Sequence, residues 1–68
     1  MSLNENNDLF QVLTNTGNAT VSILVHGSFK PYTGKVKRAY EHFVELVNDY
    51  STNYVYYKDI IAIRVYDR

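Results

Sequence analysis

The stretch Tyr32-Thr33-Gly34-Lys35-Val36 decides the fold. An apolar residue, a glycine and an apolar residue stand at alternate positions inside what otherwise reads as a strand. Glycine in a strand interior marks a sharp bend or a close approach of another backbone, where a side chain would obstruct. A strand bent in this way belongs to a very small β-barrel.

Working outward, the second strand is expected to run from Phe29 to Ala39, with Pro31 near its start, where a missing N–H matters least. Before it, Val21, Ile23 and Val25 alternate with Ser22 and Leu24, a strand with one face inward. His26-Gly27-Ser28 turns the chain between the two. After it, Phe43 to Asn48 is a third strand with Val44 and Leu46 on the inner face. The polar run Asn48 to Asn53 is a turn. Tyr54 to Tyr57 and Ile60 to Tyr66 are the last strands, joined by Lys58-Asp59. Near the start, Asn6, Asn7 or Asp8 can cap a short helix that places Leu9, Phe10 and Leu13 on one face, and Gly17 suits a left-handed helix end. The expected fold is therefore all-β: a small, five-stranded, strongly bent, closed or nearly closed barrel of SH3-like type, preceded by a short N-terminal helix. Residues 1–6 read as a flexible N-terminus and 7–68 as a single domain.

The last two strands are apolar or aromatic at consecutive positions, not alternate ones. Such strands are usually covered on both faces. A chain of 68 residues has too little protein left to cover the second face. This points to a subunit interface built from Tyr54, Tyr56, Tyr57, Ile61 and Ile63. Size argues the same way, because so short a chain buries only about 60% of its unfolded surface and usually needs a disulfide, a metal or a partner. Cysteine is absent, so disulfides and thiolate sites are excluded. Only His26 and His42 could anchor a transition metal, and neither has ligand spacing, so no metal or other cofactor is expected.

Seven basic and seven acidic side chains cancel. Net neutrality argues against a protein that coats duplex DNA, but not against a local basic ring. No apolar run has the length of a membrane span and no signal peptide is visible, so a soluble cytoplasmic chain is expected. No nucleophile, oxyanion hole or phosphate-cradling glycine loop can be assembled from this inventory, so an enzyme is not expected and no catalytic residue is assigned.

The order and spacing of these fragments resemble the Sm-like family, and within it the bacterial or phage RNA chaperone Hfq. Asn7-Asp8-Leu9-Phe10 resembles the start of its helix. Tyr32-Thr33-Gly34-Lys35-Val36 resembles the first Sm motif. Tyr40-Glu41-His42-Phe43-Val44 resembles the Phe-Asp-Gln-Phe-Val segment, and Val55-Tyr56-Tyr57-Lys58-Asp59-Ile60-Ile61 the second motif. The resemblance implies a cyclic homo-oligomer of roughly five to seven copies, in which the fourth strand of one subunit pairs with the fifth of the next. It implies single-stranded, uridine-rich RNA at the pore. Phe43 then stacks on bases, His42 and Asn7 read base edges and Lys58 supplies charge, with Tyr40 a further stacking candidate. Lys35, Lys37 and Arg38 form the densest basic cluster and are candidates for phosphate contacts.

The chain also departs from the family. Asp59 replaces a histidine beside the RNA path. Asn15 and Thr16 stand where the rim arginines would be, and Leu24 stands near the tyrosine of the opposite-face site. Two alternatives follow: a structural or protein-interaction ring without RNA binding, and a monomeric SH3-like barrel that binds a peptide.

Overall fold

Alternation along Thr20–Val25 produces the first strand, β1, and burial follows the pattern: Val21, Ile23 and Val25 are buried, with half-buried residues between them. The structure is a computed structural model that describes residues 5–66, with side chains from residue 8 on. Helix α1 (Glu5–Thr14) precedes β1. After it come β2 (Tyr32–Ala39), β3 (Phe43–Val47), β4 (Thr52–Tyr56), one 3₁₀ turn (Tyr57–Asp59) and β5 (Ile60–Tyr66). The strands form one five-stranded sheet of order β4-β3-β2-β1-β5, antiparallel throughout.

The bend lies in β2. Its first half, Tyr32 to Lys35, pairs with β1, and its second half, Lys35 to Ala39, pairs with β3. One strand thus serves two neighbours by turning about Gly34 and Lys35. Gly34 is required by space: a Cβ there would collide with the carbonyl oxygen of Val47 and lie 2.9 Å from its carbonyl carbon. A register shift between Val36 and Arg38 adds a bulge at Lys37, which sharpens the twist.

The sheet does not close into a barrel. Among the described residues β4 pairs only with β3 and β5 only with β1, so neither outer edge has a partner strand there. The reason lies in the link between them. A tight hairpin needs residues with positive φ. None of Tyr57, Lys58 and Asp59 has it, so the turn carries β5 away from β4 and does not fold it back.

Helix α1 covers the interior on one side, packing against β2 and the 3₁₀ turn. Its Leu13 is wholly buried with Val21, Ile23, Val44 and Leu46, and Leu9 and Phe10 pack at the edge of this cluster, as their spacing predicts. The helix ends at Thr14, and Gly17, expected to end it directly, lies three residues on in the following turn with a left-handed φ of +60°. Asn15 and Thr16 serve that same end. Asn15 Nδ2 donates to the Gln11 carbonyl at 2.9 Å and Thr16 Oγ1 to the Leu13 carbonyl at 3.1 Å.

Several expected boundaries shift. The helix begins at Glu5, ahead of the anticipated caps and of the domain boundary set at residue 7; the rest of the flexible N-terminus, residues 1–4, lies outside the described residues. β2 starts at Tyr32, not Phe29, because Ser28 closes the preceding loop by donating to the carbonyls of Val25 and Lys30. Phe29 is left fully exposed in that loop. β3 stops at Val47, since Asn48 turns the chain by accepting the N–H groups of Tyr50 and Ser51 on its Oδ1. β4 begins earlier, at Thr52, and ends at Tyr56.

Candidate nucleic-acid interface

The loop Tyr40 to Phe43 and the 3₁₀ turn lie side by side because Tyr57 joins them. Its N–H donates to the His42 carbonyl at 3.1 Å, and its phenol donates to the Tyr40 carbonyl. The ring itself is buried, with 1% of its surface accessible. Burial pushes its phenol above the usual tyrosine range. Tyr57 was expected at a subunit interface. Instead it fills the chain's own core, because it leaves the strand and turns inward under the helix. Ile63 also packs against the core, whereas Tyr54, Tyr56 and Ile61 remain exposed.

The loop closes on itself through a bond from the Tyr40 N–H to the Phe43 carbonyl at 2.8 Å, and the turn is tied to β1 by a bond from the His26 N–H to the Asp59 carbonyl at 2.9 Å. Held in this way, His42, Phe43, Tyr56 and Lys58 line one open cleft of about 360 Å³. Three residues assigned to RNA from the sequence thus meet in one place. Tyr56 joins them because it lies directly opposite Phe43 across β3 and β4. Sequence alone gives no signal for this, since the pairing depends on a register fixed only by the fold.

Phe43 is the hub of an aromatic group. Its ring stacks on Tyr56 at 5.5 Å and meets Tyr40 at 4.9 Å and Tyr54 edge-on at 5.8 Å. Tyr40 therefore adjoins the cleft through Phe43. Arg38 lies over the Tyr40 ring at 5.2 Å, a cation–π contact. Glu45 lies on the same face and holds the Tyr54 phenol above its ordinary range, chiefly by its negative charge.

The remaining candidates are spread out. Lys58 Nζ is 3.4 Å from the Asp59 carboxylate, and both side chains are well exposed. His42 lies 3.8 Å from Glu41, also in solvent. Lys35, Lys37 and Arg38 are exposed along β2. Asn7 lies in helix α1, and its side chain falls outside the described residues. No group of three metal-ligating side chains occurs among the described residues, and none of their helices is long and apolar enough to cross a membrane.

Fold and site together define a small open β-sheet domain with an aromatic cleft flanked by a cation and an imidazole. No family model, curated protein or solved structure matches the chain, so what the cleft can do follows from its own side chains.

Proposed function

We propose that this protein is a homo-oligomeric Sm-like ring that binds single-stranded, uridine-rich RNA, acting in the cytoplasm as an RNA chaperone of the Hfq type. The observation that carries the reading is the convergence of His42, Phe43 and Lys58, with Tyr56, in one open cleft. Phe43 and Tyr56 offer a shelf on which a base can stack, worth roughly 1–3 kcal/mol per base whatever its identity. The imidazole of His42 reads a base edge and Lys58 meets the backbone phosphate. Lys35, Lys37 and Arg38, exposed along β2, are the candidates for further phosphate contacts, and Asn7 on the helix for an amide contact. The two unpaired edges support ring assembly, since exposed strand edges invite pairing with another chain.

On this reading Asp59 tunes affinity. An exposed ion pair is worth about 0–1 kcal/mol, so releasing Lys58 from Asp59 lowers affinity by up to roughly fivefold, and the freed carboxylate adds repulsion of the phosphate. A competing reading, a ring that binds protein and not RNA, draws on the same pair and on the zero net charge.

Fluorescence anisotropy of a labelled six-uridine RNA separates the two. Saturable binding that weakens with salt is expected, together with a loss of about tenfold or more in Phe43→Ala, the lower range of a lost stack. A flat trace at low salt overturns the RNA reading and leaves the protein-binding ring.

A further inference from the structure

The outward face of β3 and β4 holds a carboxylate among aromatic rings. Glu45 is half-buried there, directly opposite Tyr54, with the Phe43–Tyr56 pair beside it. Tyr40 donates to its Oε1 at 3.5 Å and Tyr54 to its Oε2 at 3.4 Å, both near the limit of a hydrogen bond. Arg38 pairs opposite Glu45 in register, but its guanidinium lies over the Tyr40 ring and forms no ion pair with the carboxylate. The charge of Glu45 is nonetheless felt, as the raised Tyr54 phenol reflects. A carboxylate bordered by aromatic faces suits a planar guanidinium, which can accept both the charge and the stacking.

The opposite edge of the same chain carries such a group. On β5, Ile63 and Val65 oppose the inward residues Ile23 and Val21, so Arg64, opposite Ser22, points outward. It is exposed and forms no ion pair among the described residues. If β5 of one copy lies along β4 of another, their outward faces become continuous, because side chains alternate along every strand. Glu45 then lies two strand spacings from β5 of the neighbour, about 10 Å, within the combined reach of a glutamate and an arginine.

We infer that Arg64 of one copy docks on the Glu45 and Tyr54 patch of the next, and that this contact fixes the register and head-to-tail direction of assembly. The inference rests on the ring reading and adds to it the residue pair that selects the partner edge. Like charges placed opposite each other at an interface cost several kcal/mol and suppress wrong pairings, while the matched pair is tolerated.

Charge exchange tests it, with assembly mass followed by light scattering and native mass spectrometry and folding by circular dichroism. Glu45→Arg and Arg64→Glu each place like charges at every interface and should raise the assembly midpoint about 100-fold while the chains stay folded. The double variant should recover assembly. So should an equimolar mixture of the two single variants, in which each interface joins unlike charges, giving rings of even subunit number. Arg64→Gln, which adds no repulsion, should weaken assembly without unfolding. If the single variants assemble like the wild type, or neither combination recovers, the contact is overturned and the ring stands. A wild-type chain that stays monomeric at every concentration overturns ring and contact together.

Discussion

Gly34 carries a demand that no other residue type can meet. The carbonyl group of Val47 occupies the space where a Cβ would stand, and both contacting atoms belong to backbone, so neither can swing aside. Gly34→Ala must therefore separate β2 from β3 or flatten the bend. Overpacking of this kind typically costs about 1–3 kcal/mol. We expect the variant to unfold at lower denaturant concentration with an unchanged slope; an unchanged midpoint would mean that the two strands can part freely. The glycine was legible in the sequence because its neighbours are strand formers on both sides. Glu45 was not. Its place among Tyr40, Tyr54 and Phe43 depends on the β3–β4 register and on the turn built by Asn48, and a glutamate in a strand gives no hint of either.

Among the elements, the 3₁₀ turn departs furthest from the sequence reading. Tyr54 to Tyr57 looks like an unbroken apolar strand, and Lys58-Asp59 looks like a hairpin link. The strand ends one residue early because Tyr57 is worth more inside. It fills the space beneath Leu13 and satisfies the carbonyls of Tyr40 and His42. The strands with one polar face, by contrast, follow from alternation alone. Tyr57 also gives the turn a pH dependence. Its phenol is pushed above the usual value near 10 by burial. Below that pH the tyrosine is protonated in both folded and unfolded chains, and its contribution is fully present. As pH rises further, the unfolded chain loses the proton first, so stability falls by up to about 1.4 kcal/mol per pH unit until the folded phenol ionises. Tyr57→Phe should lose about 1–3 kcal/mol at neutral pH, since the Tyr40 carbonyl is left without its donor. It should also show a shallower decline in stability between pH 10 and the folded value. Denaturant titrations across pH 8 to 11 measure both effects, and parallel declines in the two proteins would place the alkaline sensitivity elsewhere.

For the whole molecule, the two unpaired edges dominate. β4 shows Tyr54 and Tyr56 to solvent and β5 shows Ile61, Val65 and Tyr66, each with more than a third of its surface accessible. A domain this small gains little from its own core, and an edge with exposed apolar side chains is normally paired or covered. The register shift between Leu24 and Val25 lifts Ile61 out of the β1 ladder, so it contributes little to the folded monomer. A lysine there keeps the monomer but places charge on the edge, a device by which natural sheets block edge pairing. Ile61→Lys should therefore leave the unfolding free energy of the monomer within about 0.5 kcal/mol, the usual range for an exposed position. On the proposed ring reading, sedimentation should show the wild type assembled and this variant monomeric. The six-uridine affinity should fall with it, because a cleft repeated around a ring concentrates positive potential that a single copy lacks. A variant that assembles like the wild type would show that β5 is not the joining edge. One that dissociates yet binds RNA unchanged would show that each cleft acts alone.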